Sequence, residues 1–385
     1  MDPKFVHYDL NLIRPAFDSK LTDLVIELDY LRKKQLGGST HPKIFFQLKR
    51  IFHTLESIGS ARIEGNNTTI TDYIENRSDT NSKKNENIIE IENIENSMNF
   101  IDENINTISI NRAFISDLHK HIVKDLTPPP KGEGDKTPGD YRTHGIKILK
   151  SSHLPPMPAQ INGYMDELFS FINKEDSSKY DLIKTAIAHH RFVWIHPFGN
   201  GNGRTVRLFT YAMLVQQGFN INLGRIVNPT AVFCNNRDDY YEHLSQADIG
   251  TENGLLKWCE YVLNGLKTEI EKIDLLLDYN FLSKNILRKA ISYSRDIGAI
   301  KENEFKILNI AVDKQVFQAS DLKSVFPKKL SAEVSRNIKK LKDKNLIFSE
   351  RQNSRKYIIS FKNTILLKGI IKALDENNFL PIKNE

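Results

Sequence analysis

The chain has 385 residues, of which 39% are hydrophobic, and a formal net charge of +6. That length exceeds one core and predicts two or three domains, while 21 Phe and 13 Tyr exclude a disordered polypeptide. Only Cys234 and Cys259 occur, which excludes a disulfide framework. No run reaches the roughly 18 apolar residues a membrane span needs, so a cytoplasmic, reducing location with no membrane contact is expected.

From the N-terminus, Leu21, Leu24, Val25 and Leu28, then Ile44, Phe45, Leu48, Ile51, Phe52 and Leu55, fall at helical spacing. They predict two amphipathic helices, the second ended or bent by Gly65-Asn66-Asn67. The polar stretch 76–87 reads as a loop. Helical spacing resumes through Ile88–Ile101 and Phe114–Ile122 and is stopped at Thr127-Pro128-Pro129-Pro130. Residues 131–140 read as a Gly/Pro-rich loop. In the segment that follows, Ile146 and Ile148 alternate with Lys147, predicting a short hairpin up to Ser151-Ser152. Helices are expected over 158–173, over 178–195 with a Ser177 or Ser178 cap, over 204–217 closed by Gly218, and over 252–290.

Beyond residue 295 the pattern changes. Helices over 304–312, 319–325 and 331–344 precede two strand-like runs around Gln352-Asn353-Ser354, the order of a winged helix-turn-helix. Between Asp321 and Ile370 there are 13 Lys/Arg against 4 Asp/Glu, a local excess of +9 that leaves the remainder slightly acidic. Arg336, Lys339, Lys340, Lys342 and Lys344 on the third helix, with Arg351, Arg355 and Lys356 on the wing, suit a phosphate-rich duplex, so DNA is an expected partner; a solvated lysine face or a protein-docking unit is the alternative.

The most informative segment is His196–Arg207, HPFGNGNGRTVR. One helix ends before it and another begins near Gly203, so the N–H groups of a Gly-rich loop converge on a helix N-terminus, a natural anion site. Gly201 and Gly203 permit close backbone approach and Asn202 can donate. Arg204 and Arg207, three apart, suit further phosphate oxygens, and a neutral His196 can take a proton from an attacking hydroxyl. His189 and His190 upstream read as helix-packing groups.

These residues resemble the Fic family signature, His-x-Phe-x-acid-Gly-Asn-Gly-Arg-x-x-Arg, with every specified position filled except the acidic one. The resemblance implies a mainly α protein: an all-helical Fic core with a short β-hairpin flap, followed here by the small winged helix. It also implies a protein adenylyltransferase that moves AMP from ATP, with Mg²⁺, onto a hydroxyl side chain of a protein target and of itself. By position, His196 is the implied general base and Phe198 packs the loop. Gly199, Asn200, Gly201, Asn202, Gly203 and Arg204 form the phosphate cradle, and Arg207 meets the γ-phosphate. Gly145, Ile146, Lys147 and Ile148, after Tyr141-Arg142, correspond to the flap that aligns a target by strand addition. Asn236, Tyr240 and Tyr241 fall where a nucleobase pocket is expected. Asn200 replaces the acidic Mg²⁺ ligand with an uncharged amide, which predicts weakened metal affinity.

Upstream, Ser60-Ala61-Arg62-Ile63-Glu64-Gly65 resembles the [Ser/Thr]-x-x-x-Glu-[Gly/Asn] pattern of the family's inhibitory helix. That resemblance implies a Glu64–Arg207 pair in the γ-phosphate's place. The expected organisation is a helical region over 1–110 containing the inhibitory helix at about 45–65, a catalytic core over 111–295, and a winged-helix domain over 300–385. Two alternatives stay open: a DNA-binding regulator with a degenerate nucleotide-sensing core, and a hydrolase that removes AMP. A homodimer is left open.

Overall fold

The structure is a computed structural model, and it describes residues 4–33, 39–78, 85–148, 151–219, 229–327 and 331–380. The chain forms two compact units, one of residues 1–35, 53–68 and 83–271, the other of residues 36–52, 69–82 and 272–385. The division falls at 271/272 instead of near 295–302, and two N-terminal pieces belong to the second unit.

Helix α1 (Lys20–Lys33) buries the predicted Leu21, Leu24, Val25 and Leu28. Helix α2 (Pro42–Ile63) lends its first part to the second unit and its remainder to the first. It ends in a turn where Gly65 takes a left-handed φ of 109° that suits only glycine. The next helix, α3 (Ile70–Ser78), lies partly where a loop was expected; its start is set by Thr69, whose hydroxyl accepts from Asp72 N. Residues 79–84 of that predicted loop lie outside the described residues.

In the first unit, α4 (Glu86–Asn104) and α5 (Arg112–Ile122) are capped by Asn85 and Asn111 side chains. Helix α5 closes at Ile122, before the prolines, as Asp125 turns left-handed at φ 58°. The remaining helices are α6 (Pro158–Asn173), α7 (Asp181–Ile195), α8 (Asn202–Gln216), α9 (Pro229–Cys234), α10 (Arg237–Ala247) and α11 (Glu252–Leu277). A 3-10 turn at Ser178–Tyr180 precedes α7, and neither serine makes the expected side-chain cap. The core gathers Leu21, Leu28, Ile187, Phe233, Trp258 and Val262, with the Trp258 indole N–H donating to Ala186 O at 2.6 Å.

The expected hairpin at Gly145–Ser152 makes no ladder among the described residues, and Leu149 and Lys150 lie outside them. Ile146 and Ile148 are partly buried while Lys147 is exposed, so the alternation reflects one-sided packing rather than strand pairing.

In the second unit, Asp278 caps the continuation of the predicted long helix into α12 (Tyr279–Phe281), a π-helical turn (Leu282–Leu287) and α13 (Arg288–Asp296). Then come α14 (Glu302–Lys314), β1 (Phe317–Gln318), a 3-10 turn (Ala319–Ser324), α15 (Ser331–Asp343), β2 (Ile347–Ser349), β3 (Lys356–Ile359) and α16 (Thr364–Glu376). The strands form an antiparallel sheet in the order β1-β3-β2, with Ile347 opposite Ile359. The Gln47 amide bonds Ile359 O and Phe361 N, which is why part of α2 belongs here. Helix α16, which the pattern did not predict, carries Gly369 in its interior. A Cβ there would lie 2.9 Å from Ala290 O, so this glycine permits close crossing of α13 instead of breaking the helix.

Among the described residues no helix is long and apolar enough to cross a membrane.

Candidate active site

Helix α7 ends at His196, whose left-handed backbone (φ 50°, ψ 62°) reverses the chain, and Gly201 (φ 75°) makes the second reversal from which α8 starts. Between them, Phe198 is wholly buried and stacks on His119 with centroids 3.8 Å apart and planes 2° off parallel. The Asn202 side chain closes the loop on itself, accepting from Phe198 N and donating to Phe198 O, both at 2.9 Å. The Asn200 peptide is held from both sides. Its N–H donates to Asp135 Oδ2 at 2.8 Å and its carbonyl accepts from His119 Nε2 at 3.0 Å. Gly139 N–H donates to His119 Nδ1, so the proton of this neutral ring is on Nε2. Burial lowers the His119 pKa to about 4.

The loop thus spends the N–H groups of Phe198 and Asn200 on its own geometry, while those of Gly201, Asn202 and Gly203 have no partner among the described residues. These three open donors sit at the N-terminus of α8, the place for an anion. A carboxylate lies there: a Cβ on Gly203 would collide with Glu64 Oε1, so the missing side chain is what lets Glu64 approach.

Glu64 Oε1 accepts from Arg207 Nη2 at 2.7 Å, and the same guanidinium donates to Ser60 Oγ at 2.8 Å and Ser60 O at 2.9 Å. Burial works to raise the Glu64 pKa, but Arg207 and Arg204 outweigh it and the carboxyl lies below its ordinary value. Arg207 is correspondingly raised, Glu64 overcoming the effect of burial. The sequence pattern therefore brought together Ser60, Glu64, Gly203 and Arg207.

Arg204 is buried and tied elsewhere, 2.8 Å from Glu90 Oε1 and donating to Glu133 O at 2.7 Å. Asn200 Nδ2 donates to Glu133 Oε2 at 3.3 Å and Gly134 O at 3.1 Å, leaving Oδ1 without a partner among the described residues. His196 donates from Nδ1 to Val193 O at 3.2 Å, since a carbonyl can only accept, and this leaves a lone pair on Nε2. Burial lowers its pKa to about 4, so the ring is neutral near pH 7.

Other expected residues fall apart. Tyr240 is 2% exposed and points its hydroxyl at His189 Nε2, 2.9 Å away, as part of the core. Asn236 is occupied in capping α10 through Asp239 N. Of the two aromatic residues among the expected base-pocket residues only Tyr241 exposes its ring, and Arg237 lies over it. The flap positions Gly145 and Lys147 are exposed. The sequence pattern did not point to His119, Glu133 or Asp135, which hold the loop through Asn200 and Arg204. His119 carried a signal, as a polar residue beside Leu118 on the buried face of α5. Asp135 and Glu133 carried none, lying in an aperiodic Gly/Pro-rich stretch.

Residues 109–214 match the model of the Fic/DOC family. That match covers less than a third of the chain. Among curated proteins it is similar to a protein adenylyltransferase Fic of Nematostella vectensis, 32% identical over 140 residues covering 35% of this chain and 28% of that protein. It is also similar to one of Drosophila grimshawi, 27% identical over 203 residues, 51% of this chain and 38% of that protein. The chain thus spans well under half the length of these relatives. Among solved structures it resembles a Fic family protein of Desulfovibrio desulfuricans, with a TM-score of 0.55 at 17% identity over 92% of this chain and 98% of that one. A Fic domain containing signaling protein of Bacteroides thetaiotaomicron has a TM-score of 0.53 at 18% identity, over 67% and 98% of the two chains. The fold is that of Fic proteins.

Proposed function

We propose that this chain is a protein adenylyltransferase that moves AMP from ATP to a hydroxyl side chain of a protein target and of itself, and that Glu64 holds it off. The observation that carries the reading is the Glu64 carboxylate over Gly203, paired with Arg207 at 2.7 Å, at the N-terminus where three backbone donors are open. A terminal phosphate of ATP has the charge and acceptor atoms to take that place, and the relatives named above carry the activity in their names. In the reaction the hydroxyl oxygen forms a bond to the α-phosphorus as the bond to the β-phosphate bridge breaks. Nε2 of His196 accepts the hydroxyl proton, and pyrophosphate leaves.

Mg²⁺ accompanies the triphosphate in this reading. Among the described residues no group of three His, Cys, Asp or Glu side chains could hold a metal unaided. The free Asn200 Oδ1 and the half-exposed Glu133 carboxylate beside it are both oxygen donors, the type Mg²⁺ takes alongside substrate phosphates, so the residues fit. Bound there, the ion would offset phosphate charge. The test is label transfer from α-³²P-ATP by Glu64→Gly: labelled protein is expected, lost again in Glu64→Gly/His196→Ala. Nucleotide binding by Glu64→Gly without any transfer would support a nucleotide sensor instead.

A second reading concerns the other unit. Its helices and β1-β3-β2 sheet fit a winged helix, and Arg336, Lys339, Lys340, Lys342, Arg351, Arg355 and Lys356 are exposed with no ion pair among the described residues. Lys344 is different, paired with Glu304 at 2.7 Å. Seven unneutralised cations on helix and wing favour duplex DNA. A gel-shift titration at two salt concentrations tests this: salt-insensitive or absent binding counts against it.

A further inference from the structure

Arg142 is 3% exposed and has no carboxylate partner among the described residues. Its guanidinium is satisfied by backbone carbonyls alone. Nε donates to His196 O at 2.8 Å, Nη1 to His144 O at 2.9 Å, and Nη2 to Pro156 O at 2.7 Å and Ile195 O at 3.4 Å. Its own N–H donates to Pro197 O at 2.8 Å. Two of those carbonyls, Ile195 and His196, are at the C-terminus of α7, where unsatisfied acceptors and the helix dipole favour a cation. His144 and Pro156 flank the segment 145–155.

His196 holds a left-handed backbone without being glycine, a conformation that persists only where its surroundings enforce it. The groups bonded to the His196 peptide are few: its N–H goes to Phe192 O and its carbonyl to Arg142. Burying a guanidinium without an anion is costly, and burial lowers the Arg142 pKa to about 10. A planar fork with fixed donor directions is the group that can meet four carbonyls at once; an ammonium cannot span them.

We propose that Arg142 is a positioning residue: it fixes the reversal at His196, and hence where Nε2 points, and ties that reversal to both ends of the segment after it. The proposal rests on the reading of His196 as the base, so its test has an arm that does not depend on transfer. Arg142 is one of the charges that act on the His196 ring, together with Glu64 and His153. Removing it moves the His196 imidazole titration upward.

The first measurement is an NMR pH titration of the His196 ring in wild type and Arg142→Gln, with the signal assigned by its loss in His196→Ala. An upward move of the His196 titration, with the melting transition still cooperative, is expected. An unmoved titration overturns the proposal. The second is self-labelling in the Glu64→Gly background. Adding Arg142→Gln or Arg142→Lys is expected to lower the rate on the order of 100-fold, the scale of a misplaced base. ATP affinity by calorimetry should stay within about twofold, and free guanidinium should partly restore the Arg142→Gln rate. A rate equal to that of Glu64→Gly, a full rescue by lysine, or an equal loss of ATP affinity overturns it. If Glu64→Gly itself transfers nothing, the functional reading fails while the titration still decides the role of Arg142.

Discussion

The loop between α7 and α8 and the basic C-terminal unit treat their charges in opposite ways. Around His196–Arg207, cations are buried and partnered: Arg207 with Glu64 and Ser60, Arg204 with Glu90 and Glu133, Arg142 with carbonyls. In the C-terminal unit, Lys339, Lys340, Arg351 and Arg355 stand in solvent, unpaired among the described residues. The first arrangement fixes donors in place before a ligand arrives, at a desolvation cost met by each partner. The second acts through its field and is screened by salt. Substitutions should therefore cost much, and in a position-specific way, in the loop, and little each in the basic unit.

The largest effect is expected for His196→Ala in the Glu64→Gly background, a fall in labelling of about 10²–10⁴-fold measured by α-³²P transfer. Phe198→Ala removes a wholly buried ring stacked on His119. A denaturant titration should register a loss of about 3–5 kcal/mol; a loss under about 1 kcal/mol would show that the loop does not depend on its packing. In the basic unit, Lys339→Ala/Lys340→Ala should leave stability unchanged and reduce the log-log salt slope of duplex binding by about 2. An unchanged slope would break the contrast between the two regions.

The smallest expected effect is on pH dependence. His119 and His196 have folded pKa values lowered to about 4, against an ordinary value of 6.5. The unfolded chain takes up these protons first as pH falls. The stability they permit is therefore fully present above about pH 6.5 and is lost progressively toward pH 4. Replacing His119 with Gln should flatten the fall in melting temperature over that window.

How much of this was legible beforehand follows the same division. The loop's glycines and Arg207 stand out in the sequence because one short stretch of chain builds the turn between α7 and α8, whereas the Asn202 amide, expected to donate to a phosphate, closes the loop on Phe198 instead. Glu64 could be read because its motif is local to one helix turn. His119, Asp135 and Glu133 could not, since each meets Asn200 or Arg204 across more than 60 positions of sequence and nothing local records that contact. The burial of Tyr240 was not legible because its partner His189 lies 51 positions away in the sequence. In the fold, α16 carries Gly369 in its interior, and only the α13 backbone beside it explains a glycine there. The flap alternation at 146–148 mimicked a strand because one-sided burial has the same period as pleating.

The central claim is that Glu64 occupies the place of a phosphate. Its most direct test is a comparison of wild type with Glu64→Gly, each incubated with α-³²P-ATP and, in parallel, γ-³²P-ATP. The account predicts at least about a tenfold rise in labelled Glu64→Gly protein, since a charge-assisted pair of about 1.5–3 kcal/mol no longer competes with the ligand, and label from the α position only. Equal labelling of the two proteins, or label arriving from the γ position, would contradict it.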